Sequence, residues 1–327
     1  MNGPLIDIRN LQIYFHVKEG VAKAVDGISY QLRHGETMGL VGESGCGKTV
    51  SSLAILGLLD VPPAEYRGGE ILFDGRNLLQ CSEKEMRRIR GKSISMIFQE
   101  PMTSLNPIMT IGFQIAEVFL NHMQMKPLQA RERTLELLDL VGIPSPRQRM
   151  AEYPHQLSGG MRQRVMIALA LACKPKILIA DEPTTALDVT IQAQILDLMM
   201  GLKDDLGTSI LLITHDLGVI AETADRVAVM YAGRIVEKSD VNTIFENPLH
   251  PYTQGLLRSI PRIDEAKRPL RLKEISGRVP SLSFLPPGCA FFDRCPIGRD
   301  RCRARRPELE AADEDHWVSC WMVSRKE

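Results

Sequence analysis

Apolar and polar positions alternate along residues 5–41 with short breaks, and a period of two marks half-buried strands. Residues 5–8, 11–15 and 28–32 are predicted to form antiparallel strands, and the wholly apolar run 38–41 a buried one. Helical spacing of apolar residues follows over 49–59, and strand patterns return at 69–73 and 94–98. The texture then changes. Residues 112–123 and 128–141 repeat apolar positions at helical spacing with no strand signal, predicting a helical insertion over about 102–160. A helix at 165–172, a strand at 177–181, an amphipathic helix at 190–203 and a strand at 209–213 come next. The runs 227–231 and 234–236 around Ala232-Gly233 predict a hairpin. From residue 246 prolines become frequent, including Pro248, Pro251, Pro261, Pro269 and Pro280, and regular patterning fades. The expected organisation is an α/β domain over 1–245 and a small cysteine-rich C-terminal domain over 246–327.

The apolar run 38–41 delivers Gly42-Glu43-Ser44-Gly45-Cys46-Gly47-Lys48-Thr49, which fits the phosphate-loop pattern G-x-x-x-x-G-K-[ST] between a strand and a helix. Glycines let the backbone curl so that successive N–H groups face phosphate oxygens, and the helix adds its positive end. Lys48 would reach the outer phosphates, and the Thr49 hydroxyl would bind Mg²⁺.

Three further stretches place polar groups where open α/β sheets bind ligands, at the C-terminal ends of strands. Gln99 follows the strand 94–98. Asp181 and Glu182 end the apolar run that begins at Ile177; the first is placed to bind Mg²⁺, the second to hold and deprotonate water. His215 follows the strand 209–213. Leu157-Ser158-Gly159-Gly160-Met161 precedes a helix, and two readings stand for it: a second anion cradle or an ordinary N-cap. Phe15 likewise has two, a stacking platform for a purine or a half-buried strand residue.

Length and composition narrow the class. The 327 residues suffice for one large domain with an appendage or for two. A hydrophobic share of 44%, a charged share of 24% and zero net charge fit a soluble globular protein and offer nothing to nucleic acid. No apolar run reaches the ~18–20 residues of a membrane helix, and the first residues lack a signal-peptide pattern. The expectation is a cytosolic protein that meets a membrane only through partners. Of seven cysteines, Cys289, Cys295, Cys302 and Cys320 crowd the C-terminus. In a reducing compartment such a cluster points to metal or redox chemistry, and four thiolates suit tetrahedral zinc or an iron–sulfur cluster. The basic run Arg294, Arg299, Arg301, Arg303, Arg305 and Arg306 either balances such a centre or forms a solvated face.

In this order, the phosphate loop, Gln99, the 157–161 stretch, Asp181-Glu182, Asp188 and His215 resemble the ATP-binding subunit of an ABC transporter. The resemblance runs from residue 5 to about 245 and implies a RecA-like core with an antiparallel β subdomain and a helical subdomain. Gln99 to Pro107, Asn247 to Thr253 and the tail Gly288 to Pro296 further resemble the branch that imports dipeptides and oligopeptides, whose relatives carry nickel, glutathione or other solutes. The resemblance implies that Gly42, Ser44, Gly45, Cys46, Gly47, Lys48 and Thr49 hold ATP, that Phe15 stacks on adenine, and that Mg²⁺ is held through Thr49, Gln99 and Asp181. Glu182 would be the general base, His215 would contact the γ-phosphate, and Leu157, Ser158, Gly159, Gly160 and Met161 would complete a partner's site, with Asp188 at the dimer seam. Partners implied are a second, different ATPase, two membrane permeases and an extracytoplasmic binding protein, at the cytoplasmic face of the inner membrane. The tail resembles relatives associated with a 4Fe–4S cluster on the four cysteines, with zinc as the alternative. A departure is Cys46, where many relatives have serine; it is expected to be tolerated and to sensitise the loop to alkylation. A soluble ABC ATPase working on DNA or ribosomes is disfavoured by the single cassette, the neutral charge and the lack of a heptad tract.

Overall fold

Residues 6–32 pair as two long antiparallel strands, β1 (Ile6–Val17) and β2 (Gly20–Leu32), with Ile6 opposite Leu32 and Val17 opposite Gly20. The two short strands expected over 5–15 are one. What breaks the alternation is Asn10, whose positive φ of 45° shifts the register between Ile8 and Leu11 and keeps Ile6, Ile8, Leu11 and Ile13 all on the buried face. The computed structural model describes residues 3–99, 104–185, 188–260 and 274–323. The expected start of the helical insertion at 102, and Glu100 to Thr103 of the peptide-importer motif, lie outside them.

The remaining elements, in chain order, are β3 (Thr37–Val41), α1 (Lys48–Ile55), β4 (Ala64–Phe73), β5 (Arg76–Asn77), α2 (Glu83–Ile89), β6 (Ile94–Ile97), α3 (Ile111–Met123), α4 (Pro127–Leu140), α5 (Pro146–Arg149), α6 (Gly159–Leu171), β7 (Ile177–Asp181), α7 (Val189–Leu206), β8 (Ser209–Thr214), α8 (Leu217–Thr223), β9 (Arg226–Tyr231), β10 (Arg234–Asp240), α9 (Val241–Glu246), α10 (Pro251–Arg258), α11 (Asp300–Ala304), β11 (Glu310–Ala311) and β12 (Trp317–Val318). Helix α1 stops short of the expected residue 59, because Gly57 turns the chain at φ 60°.

The described residues fall into two compact units. One takes in 3–32, 37–79 and 213–323, the other 33–36 and 80–212. In the first, β2, β1, β4 and β5 form an antiparallel sheet in that order. In a second sheet β3 runs parallel to β9, β9 turns into β10 through Ala232-Gly233, and β12 and β11 extend it from the β10 edge. The C-terminal segment thus adds strands to a sheet begun at residue 37. In the second unit β6 lies parallel to β7, with Ile97 opposite Ala180. Helices α3, α4 and α6 pack together there. Thr110 caps α3 by accepting from the Phe113 N–H at 3.4 Å, and Ile111, Ile115 and Phe119 form its buried stripe.

Glu237 on β10 ties the C-terminal segment down. Its side chain is fully buried and accepts from the N–H groups of Leu249 (2.6 Å) and His250 (3.0 Å) and pairs with His316 Nε2 at 2.8 Å. A buried carboxylate needs such donors, and they need it. Glu237→Ala leaves the Leu249 and His250 N–H groups and the His316 ring without their acceptor and should cost about 2–4 kcal/mol of unfolding free energy. Denaturant unfolding checks this, and a loss below about 0.5 kcal/mol, the scale of an ordinary surface substitution, would remove Glu237 from this role.

Candidate nucleotide site

Strand β3 is buried along its whole length and ends at Val41, where the phosphate loop begins. Two glycines permit its curl. A Cβ on Gly42, at φ 154°, would sit 2.2 Å from the Met230 carbonyl oxygen; one on Gly47, at φ 102°, would sit 2.0 Å from that of Ala24. The Gly233 N–H donates to the Cys46 carbonyl at 2.9 Å, fixing the loop from the β9–β10 turn. Lys48 is buried and donates through Nζ to the carbonyls of Gly42 (2.7 Å) and Glu43 (3.1 Å). Ser44, Gly45 and Thr49 form the exposed side. Phe15 lies in the same unit, half-buried on β1 between Ala22 and Ala64 of the flanking strands.

Cys46 is 1% exposed, and burial pushes its thiol above the ordinary range against the opposing pull of Lys48, whose Nζ is 3.7 Å from the sulfur. Alkylation needs an accessible thiolate. The expected sensitivity is therefore corrected: at this position the thiol is a small packed group.

In the second unit, the parallel pairing of β6 and β7 sets their C-terminal ends side by side. Burial of each Ile or Leu of β7 contributes about 1.5–3 kcal/mol, and this seats Asp181, the last residue, at 2% exposure. The next residue, Glu182, adopts a positive φ of 46°, a conformation costly for a non-glycine residue and a recurrent mark of functional sites. The Gln99 Nε2 donates to Glu182 Oε2 at 3.1 Å, and the Thr185 hydroxyl donates to the same oxygen at 3.0 Å. Gln99 and Glu182 are thus brought together, as two strand-end residues should be.

The 157–161 stretch is both a helix start and an exposed polar edge. Leu157 is buried and anchors it. The Ser158 side chain caps α6 by accepting from the Met161 N–H at 3.3 Å. Gly159 and Gly160 open the helix, and a Cβ on Gly160 would press within 3.2 Å of Ile191. Asp188 caps α7, accepting from the Ile191 N–H at 3.0 Å. His215 is exposed just past β8, before α8, which Asp216 caps through the Gly218 N–H at 2.8 Å. Gln163 was not foreseen. It is 2% exposed and its amide donates to the Pro183 carbonyl, joining α6 to the turn that carries Glu182. The signal was a polar residue set just ahead of the apolar run 165–168.

The four C-terminal cysteines line one small cavity with His250, Phe291, Phe292 and Trp321. Burial pushes the Cys289 thiol up to about 11 and raises those of Cys295 and Cys320, and neighbouring cysteines push in the same direction. Backbone N–H groups of Phe291, of Ile297 and Gly298, and of Met322 and Val323 pull these three thiols respectively the other way. Donors of this kind favour thiolate. The expected metal centre finds no support in this geometry: among the described residues no three His, Cys, Asp or Glu side chains gather to hold a metal ion. Arg299, Arg301, Arg303 and Arg305 of the basic run are exposed, as a solvated face requires, and Arg294 and Arg306 are not. Arg306 pairs with Asp26 at 3.0 Å, Arg301 stacks 3.9 Å from the Trp321 ring centre, and Arg294 is buried against Glu43.

Comparison with known proteins agrees with this layout. A family model for the ABC transporter matches residues 25–185, and one for the oligopeptide/dipeptide transporter C-terminal region matches 236–302. The chain is 52% identical to the oligopeptide transport ATP-binding protein AppD of Bacillus subtilis, covering 98% of each chain. It is 49% identical to the dipeptide transport ATP-binding protein DppD of Escherichia coli, covering 97% of this chain and 96% of that one. Among solved structures, the dimeric post-hydrolysis state of the ATP-binding cassette MJ0796 bound to ADP and Pi superposes with a TM-score of 0.65 at 26% identity, over 72% of this chain and 98% of that one. With a phosphate loop, a strand ending in two carboxylates and relatives of this identity along almost its whole length, the chain belongs to the ABC transporter ATP-binding family, in the group that carries the oligopeptide/dipeptide transporter C-terminal region.

Proposed function

We propose that this chain is the ATP-hydrolysing subunit of a peptide importer, one half of an ATPase dimer acting on two permeases. The names of its relatives support the substrate class. The observation that carries the hydrolytic role is the carboxylate of Glu182, turned out beyond buried Asp181 and held by Gln99 and Thr185. Glu182 takes a proton from water as the water oxygen bonds to the γ-phosphorus; the bond from that phosphorus to the β–γ bridging oxygen breaks, and ADP and phosphate leave. Lys48 exchanges its loop carbonyls for phosphate oxygens, and the loop N–H groups position them; most of the acceleration comes from this placement and charge balance. Thr49, Gln99 and Asp181 are the residues that would hold Mg²⁺, which supplies charge neutralisation on the phosphates; the depth of Asp181 suits a cation ligand. Phe15 stacks on adenine, and His215 contacts the γ-phosphate. Leu157 to Met161 serve the partner's nucleotide and Asp188 lies at the seam, so closure and hydrolysis are coupled.

The second ATPase is a different chain, and an extracytoplasmic binding protein feeds the complex. Among the described residues no helix is long and apolar enough to cross a membrane, which suits a peripheral subunit at the cytoplasmic face. In this reading residues 1–245 are the ATPase, with the helical subdomain at about 102–160, and 246–327 the importer-type extension. The extension's four cysteines would hold a 4Fe–4S cluster that staples a segment with short helices and two-residue strands. It rests on the shared cavity and the backbone donors beside the thiols, and not on a gathered ligand set among the described residues.

Glu182→Gln removes the base and keeps the shape. It should lower ATP turnover by a factor of about 10²–10⁴ while MgATP still binds; near-normal turnover in a phosphate-release assay would relieve Glu182 of that role. Anaerobically purified protein should contain about four irons with sulfide per chain and absorb broadly in the visible, and Cys295→Ser should lose both. One zinc and no colour would replace the cluster by a zinc site and leave the ATPase untouched.

A further inference from the structure

Glu43 is the one acidic residue of the phosphate loop, and three contacts fix it. Its carboxylate takes a fork from Arg294, with Nη1 to Oε2 at 2.6 Å and Nη2 to Oε1 at 2.9 Å. Its N–H donates to the hydroxyl of fully buried Tyr252 at 2.8 Å, and its carbonyl accepts from Lys48 Nζ at 3.1 Å. Two of these three contacts come from the C-terminal extension.

Arg294 is built for this place. Its side chain is 4% exposed, and all five of its N–H donors are engaged. Besides the two to Glu43, Nε donates to the Ser276 carbonyl at 3.1 Å, Nη2 to the Ile275 carbonyl at 3.1 Å and Nη1 to the Tyr231 hydroxyl at 3.4 Å. A Cβ on Gly277 would lie 3.1 Å from Arg294 Cγ, so the segment 275–277 closes tightly over the guanidinium. A surface ion pair would have neither the burial nor the complete set of acceptors.

From this geometry we infer that Arg294 is a positioning residue for nucleotide binding: it holds the phosphate loop curled through Glu43 and cancels the one negative charge beside the phosphates. Fixing a loop residue in advance spares backbone entropy on binding. An unbalanced carboxylate next to the cradle would also repel a polyphosphate. Arg294 touches no phosphate and acts only through Glu43. Lysine cannot replace it, because an ammonium lacks the fork. The inference rests on the loop being the ATP cradle.

The test is the Kd for MgATP, measured by calorimetry on the full-length chain, with thermal unfolding followed in parallel. Arg294→Gln is expected to raise Kd about tenfold, and Arg294→Lys to recover only part of that. Glu43→Gln also raises Kd, and the double variant is no weaker than Arg294→Gln alone, because each removes the same link. A merely structural Arg294 would lower the unfolding temperature and leave Kd within twofold, and that result overturns the inference, as do single effects that multiply in the double variant. If Arg294→Gln does not fold, Glu43→Gln decides alone: a folded protein with wild-type Kd overturns it. A wild-type chain that binds no MgATP would instead refute the cradle itself.

Discussion

The loop between Val41 and Lys48 depends on backbone packed against backbone. Gly42 lies against the Met230 carbonyl and Gly47 against that of Ala24, each at a distance that no Cβ could occupy. The strand β9 and the first half of β2 thereby act as a mould, and the Gly233 N–H completes it at Cys46. Within that mould Lys48 bonds to the loop's own carbonyls. Its ammonium is buried and held by the carbonyls of Gly42 and Glu43. The same packing explains why Cys46 is buried: the curl that exposes Ser44 and Gly45 turns the Cys46 sulfur inward.

The C-terminal extension is part of this arrangement. Strands β11 and β12 lengthen the sheet that begins with β3, Glu237 holds the start of α10, and Tyr252 and Arg294 reach Glu43. Tyr231, Tyr252 and Phe291 pack their rings within 4.6–5.4 Å, so the support beneath Glu43 is aromatic as well as charged. The cysteine-lined cavity adjoins Phe291. A segment with little regular structure gains stability from these links.

Much of the site was legible because its residues carry chemistry at fixed spacing. The phosphate loop, the carboxylates after β7, Gln99 after β6 and the Ser158 cap all stand where strand and helix patterns placed them. Local misreadings have local causes. Asn10 hid the continuity of β1 by one bulged residue, and Gly57 ended α1 early. Helix α2 was missed although Ser82 and Glu85 form a capping box; the helix is too short to show a period. Gln163 and Arg294 belong to another class. Their partners are 20 and 251 residues away, and no spacing rule brings such pairs together. The arginines of the tail look alike in sequence, yet Arg294 is buried against Glu43, Arg306 pairs with Asp26, and Arg301 and Arg305 both lie over Trp321.

The most direct measurement of the central claim is uptake of labelled di- and oligopeptides by cells lacking this gene, complemented with the wild-type chain or with Lys48→Ala. The account predicts that peptide uptake falls to background, returns with the wild-type chain and stays absent with Lys48→Ala. Undiminished peptide uptake in the deletion strain, or loss of nickel or glutathione uptake in its place, would contradict it.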